Sequence, residues 1–75
     1  MRLDRIRSIL AEKNRDGEHF QDGDQVWWFG VLYAITLKNC MLTLTEVKGG
    51  KYPKTQFFES EADIISFRNN ASFKQ

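Results

Sequence analysis

The stretch Gln25–Val47, QVWWFGVLYAITLKNCMLTLTEV, decides what this chain can fold into. It holds two runs rich in β-branched and aromatic residues, separated by Lys38 and Asn39. Such residues suit a pleated, half-buried surface. In the second run Leu42 and Leu44 alternate with Thr43 and Thr45, which predicts a strand with its leucines inward and its threonines outward. The first run is apolar on both faces, through Trp27, Trp28, Phe29, Val31, Leu32, Tyr33 and Ile35. A chain of 75 residues has little material to cover both faces of one strand. A sharp bend at Gly30 resolves the conflict, because glycine accepts angles that a β-carbon resists. The two halves would then join different parts of a closed sheet. That reading is a mainly β domain with one N-terminal helix: a small five-stranded, strongly bent barrel of SH3-like form.

Working outward, Leu3, Ile6, Ile9 and Leu10 fall at helical spacing, with Arg2, Arg5, Arg7, Glu12 and Lys13 mostly off that stripe. The spacing predicts a helix over 2–14, stopped by Asn14, Asp16 and Gly17. Residues 18–21 are expected to form a short strand, paired through the tight turn Asp22-Gly23-Asp24 to the run that begins at Gln25. On the other side, KGGKYPK (48–54) is a loop, because Gly49-Gly50 frees the backbone and Pro53 ends strand pairing. Thr55–Glu59 is expected as a strand, Ser60–Asp63 as a turn and Ile64–Phe67 as the last strand. A single domain results, with the helix at 2–14, the barrel at 18–67 and a fraying polar tail at 68–75.

Composition excludes several classes. The net charge of +1 is too small to imply nucleic acid by itself, but its distribution is patchy. Lys48, Lys51 and Lys54 form a basic block, with the acidic Glu59, Glu61 and Asp63 after it. The one cysteine, Cys40, has no internal bridging partner, and a catalytic role for it would need the one histidine, His19, as base. The carboxylates Asp16, Glu18, Asp22 and Asp24 do not match a calcium loop and read as turn chemistry. No metal site and no cofactor are expected. No apolar run approaches the roughly 18 residues of a membrane span, and the charged N-terminus is not a signal peptide. A cytoplasmic protein without a membrane partner is the expectation. With no phosphate-cradling loop and no nucleophile beside a base, an enzyme is not expected.

The apolar spacing then resembles a known family. From Gly30, Leu32 and Ile35 come at short range, Leu42 and Leu44 lie on the next strand, and Val47 ends it. Phe57-Phe58 and Ala62-Asp63-Ile64 resemble the closing strands. This series is similar to divergent Sm-like (Lsm) domains of the Trailer hitch and enhancer-of-decapping type. The resemblance implies an Sm-like barrel whose structural positions are Gly30, Leu32, Ile35, Leu42 and Leu44. It does not carry the family's base-binding residues here. Thr36 stands in place of an aspartate, Asn39 precedes Cys40-Met41 rather than following a methionine, and Glu59-Ser60 stands near an Arg-Gly pair. A glutamate where an arginine would hold phosphate and base reverses the local charge.

Three binding functions are consistent with these residues. The first is a non-catalytic module that self-associates through sheet edges or binds a protein partner, with Gln56, Phe57, Phe58, Ile64, Ile65 and Phe67 on the edge. A homo-oligomer is the favoured form. The alternative is RNA or single-stranded nucleic-acid binding through Lys48, Lys51, Tyr52 and Lys54, joined by Arg2, Arg5 and Arg7 on the helix. The third is a Tudor- or SH3-like peptide reader using two or three of Trp27, Trp28, Phe29 and Tyr33 as an aromatic cage.

Overall fold

Leu42 and Leu44 are fully buried, and the strand that carries them sits inside an antiparallel sheet. The computed structural model describes the whole chain, Met1–Gln75. In chain order the elements are α1 (Leu3–Ala11), β1 (Gln25–Trp28), β2 (Val31–Lys38), β3 (Met41–Glu46), β4 (Thr55–Phe58) and α2 (Glu61–Asn70). The four strands form an open meander in the order β1-β2-β3-β4. One face of this sheet carries Val26, Tyr33, Ile35, Leu37, Leu42 and Leu44 into the core. The helices cover that face, α1 with Ile6, Ile9 and Leu10, α2 with Ile64 and Phe67.

The apolar run from Val26 is a hairpin rather than one bent strand. Phe29 and Gly30 form its two-residue turn, with Trp28 opposite Val31. Both turn residues have positive φ, +50° and +78°, the combination whose twist matches a right-handed strand pair. The run looked doubly buried because it supplies two rows. Val26, Trp28 and Tyr33 face the core, while Trp27 and Leu32 pair on the other face. Gly30 is therefore needed for a left-handed turn position and not for a barrel bend. A β-carbon there would meet no neighbouring atom, so the cost of a side chain is conformational. Gly30→Val is expected to cost about 1–2 kcal/mol in a denaturant titration. A loss near zero would show that the turn relaxes to another type.

The mainly β architecture and the N-terminal helix expected from the sequence are present, while four local expectations are corrected. The helix spans 3–11, not 2–14, because Glu12 is already extended. Residues 18–21 make no strand. Phe20 is buried against Phe67 and Phe73, at ring separations of 6.3 and 5.0 Å, and its N–H donates to Leu10 O at the end of α1 (2.9 Å). The Asp22-Gly23 turn does form, with Asp24 N–H donating to Gln21 O at 3.1 Å, but no hairpin partner precedes it. Finally, Ile64–Phe67 is not a fifth strand, and 68–75 is not a fraying tail.

Both belong to α2 and the segment after it. Ile64, Phe67, Arg68 and Ala71 are buried, at the i, i+3, i+4, i+7 spacing of a helix face. Glu61 and Asp63 lie in the first turn and Arg68 in the last, where each complements the helix dipole. Beyond the helix, Ser72 pairs with Trp27 on the outer side of β1. Trp27 N–H donates to Ser72 O (2.7 Å) and Ser72 N–H donates to Trp27 O (3.0 Å). The chain end is thereby tied to the sheet.

Two polar side chains fix the helices to each other. Asn14, buried, donates through Nδ2 to Arg68 O (3.2 Å) and Ala71 O (3.1 Å). Its Oδ1 accepts from the N–H groups of Asp16 and Glu18, each at 3.0 Å. Arg68 returns the connection, donating to Ile9 O (3.1 Å) and to Glu12 Oε2 (2.7 Å). Orphan carbonyls at the ends of both helices are satisfied in this way.

Candidate functional site

The hydrogen-bond ladder of the sheet determines which of its edges is open. Glu46 N–H donates to Lys54 O at 3.0 Å, so 46 and 54 face each other as a hydrogen-bonded pair across β3 and β4. Antiparallel pairing alternates, so Gln56 and Phe58 direct their N–H and C=O groups toward β3. Thr55 and Phe57 direct theirs away from the sheet. No strand lies on that side. Phe57 is also 60% exposed, an apolar ring beside unpaired backbone groups. The opposite edge differs, because Ser72 occupies the outward groups of Trp27.

Of the six residues expected on an oligomer edge, only those of β4 are there. Phe57 faces solvent, whereas Phe58 packs on the core and Gln56 donates to the Tyr33 hydroxyl at 3.1 Å. Ile64, Ile65 and Phe67 are corrected: they lie on α2, with Ile64 and Phe67 in the core and Ile65 partly buried against it. Ile35, Leu42 and Leu44 are core residues, and Leu32 is half-buried on the other face.

The expected nucleic-acid set divides into two places. Lys48, Lys51, Tyr52 and Lys54 lie in the loop between β3 and β4. Tyr52 is 82% exposed, with Lys51 Nζ 5.9 Å from its ring centre, and none of the three lysines forms an ion pair. Arg5 and Arg7 are on α1, Arg2 is the residue that precedes it, and two of the three are engaged. Arg2 Nε lies 3.6 Å from Asp4, and Arg5 hydrogen-bonds Glu61 at the start of α2. That contact lies past the end of β4 opposite the lysine loop, so Arg5 does not extend the lysine patch. The hydrogen bond from Arg5, with its charge, holds the Glu61 carboxyl below the usual carboxylate range. The contribution of this exposed pair is therefore present above the ordinary carboxylate range and lost as pH falls through the lowered value. Arg7 lines a cleft of about 330 Å³ with His19, Phe20 and Asp22.

Sequence reasoning missed the exposure of Phe29. It stands 77% exposed at the tip of the β1–β2 turn, at positive φ where a bulky side chain is disfavoured. In a meander this turn and the β3–β4 loop emerge at the same end of the sheet, so Phe29, Tyr52 and the lysines share that end. The signal for it was the Phe-Gly pair, weaker than Asn-Gly or Asp-Gly as a hairpin marker. Trp28 and Tyr33, 5.9 Å apart, face the core, and Trp28 also packs on Phe58 and Phe67. Trp27 lies on the other face of β1, so the four aromatics do not line one cage.

Of the four carboxylates expected as turn chemistry, only Asp24 has a local partner, while Asp22 and Glu18 accept from backbone distant in sequence. Asp22 Oδ1 accepts from Leu37 N–H (3.2 Å), Asp24 Oδ2 from Gln21 N–H (2.9 Å) and Glu18 Oε2 from Phe73 N–H (3.2 Å). Cys40 is an exposed residue of the Asn39-Cys40 turn. No helix is long and apolar enough to cross a membrane. No family model, curated protein or solved structure matches the chain.

Proposed function

We propose that this chain is a non-catalytic binding and assembly module that accepts an added β-strand on the free edge of β4. The observation that carries this reading is the combination at Phe57: outward-directed backbone groups and an exposed ring on an edge that no element covers. Backbone bonds to an added strand supply affinity, and the alternate side chains supply selectivity. A divergent Sm-like or SH3-like small barrel is the parent form we assign. Its support is the helix preceding an antiparallel meander, with Ser72 bridging to β1 where a fifth strand would close the sheet.

Amide hydrogen exchange tests the edge. On adding a synthetic peptide of residues 53–60 (PKTQFFES) to the chain diluted until it is monomeric, the N–H groups of Thr55 and Phe57 gain protection, while those of Gln56 and Phe58, already bonded to β3, change little. Unchanged exchange at Thr55 and Phe57 would overturn the reading.

A second reading has its own support in the exposed rings of Phe29 and Tyr52 beside three unpaired lysines. Rings of this kind stack on unpaired bases while ammonium groups neutralise phosphates. It requires retention of a single-stranded RNA oligomer that weakens steeply with salt and is lost in Tyr52→Ala with Phe29→Ala. Absence of retention at low ionic strength removes it.

A further inference from the structure

We infer that the strand accepted by β4 is the β4 of a second copy, running antiparallel, so that the chain forms a two-fold dimer rather than a ring. The inference rests on the proposed open edge of β4 and adds the identity of the occupant. Two features of the molecule select it.

The first is the number of open edges. A ring needs two different edges on each chain, one for each neighbour, whereas a two-fold pair needs one edge that matches itself. Here the outward groups of Trp27 on β1 are bonded to Ser72, and α2 occupies the sequence that a fifth strand would need. Ser72 blocks the edge of β1 at Trp27, and β4 is the edge strand with both of its outward residues, Thr55 and Phe57, unbonded.

The second is charge. Lys48, Lys51 and Lys54 precede β4, and Glu59 and Asp63 come after it; none of these five forms an ion pair, whereas Glu61 is held by Arg5. The strand is therefore positive at one end and negative at the other. An antiparallel copy sets each basic end against the partner's acidic end, while a parallel copy would oppose like charges. Registered about Gln56, the outward groups of Thr55 meet those of the partner's Phe57, and the reverse, without disturbing any bond to β3. The same register lays each Phe57 ring beside the partner's Thr55, covering an exposed aromatic surface.

Light scattering coupled to size exclusion, at low and high salt, tests the inference. The expected result is a concentration-dependent species of twice the 8.8 kDa chain mass, weakened by salt. Phe57→Pro abolishes it, since that N–H serves no bond within the chain, and Phe57→Lys serves as a second disruption that leaves the backbone donor in place. Lys54→Glu or Glu59→Lys alone weakens the dimer by roughly tenfold, and combining them restores it. A monomer at all concentrations that still shows peptide-induced protection of Thr55 and Phe57 overturns the second copy and leaves the edge reading standing. A monomer that also ignores the peptide overturns both. A dimer or larger assembly insensitive to both Phe57 variants places the interface elsewhere and overturns the inference.

Discussion

Phe67→Ala is expected to cost about 3–5 kcal/mol, measured as the loss of unfolding free energy in urea. The ring is 1% exposed and sits among Trp28, Phe58 and Phe20, at centroid distances of 5.7, 6.0 and 6.3 Å. Removing it opens a cavity between sheet and helix that rigid neighbours on several sides cannot fill. A domain of this size has a margin of only about 4–11 kcal/mol, so the variant approaches or crosses the unfolding limit. Its effect should extend to the sheet edge. Once α2 loosens, the amide of Ser72 loses the protection that its bond to Trp27 provides. A stability loss below about 1 kcal/mol would contradict the placement of α2 on the core.

Asn14→Ala is expected to rank next, at about 3–5 kcal/mol in the same titration, although it removes little apolar surface. The amide uses both donors on carbonyls at the end of α2 and its oxygen on two N–H groups of the turn after α1. Deleting it strands those groups in a buried site, and each unsatisfied group costs about 1–3 kcal/mol where water cannot reach it. The near-isosteric Asn14→Asp should be no milder at neutral pH. It keeps the acceptor but turns a carboxylate oxygen toward the carbonyls of Arg68 and Ala71. Part of that loss should return in acid, when the carboxyl carries a proton to donate. Equal stability of Asn14→Asp and the parent at neutral pH would show that the two carbonyls do not need a donor.

Much of the sheet was legible because its residues report local geometry. Leu42 and Leu44 alternate with threonines, and the observed strand places both leucines in the core, while Thr43 on the other face is buried as well instead of facing solvent. Leu3, Ile6, Ile9 and Leu10 repeat at helical spacing, and the helix forms there. The hairpin at Phe29-Gly30 was hidden because a tryptophan-rich run looks the same whether it bends or reverses. Only pairing shows that Trp27 and Leu32 form a row on one face while Val26 and Tyr33 form another. The second helix was hidden by Arg68, a charged residue standing in its apolar stripe. In isolation that arginine breaks the pattern. In the fold its head group reaches Ile9 O and Glu12, so the position is buried without an unpaired charge.

The candidate site divides along the same line. Lysines 48, 51 and 54 with Tyr52 were visible as a block because they are neighbours in sequence. Their separation from Arg5, and their sharing of one end of the sheet with Phe29, depend on where strands begin and reverse. The edge of β4 is a still clearer case. Any run such as Thr55–Phe58 can be read as a strand, yet whether its outer backbone groups are free depends on what the rest of the chain lays beside it.

Taken alone, the amino-acid order determined which segments carry apolar faces, where the chain turns at Asp22-Gly23 and Lys48–Lys54, and that β4 lies between opposite charges. Tertiary structure decided that Ile64–Phe67 coils into a helix, that Ser72 blocks the edge of β1 at Trp27, and that both outward residues of β4 stay unbonded. The physical reason is range. Side-chain periodicity is set by neighbours a few residues apart, whereas the pairing of a backbone edge is settled by contacts between residues as distant as Trp27 and Ser72.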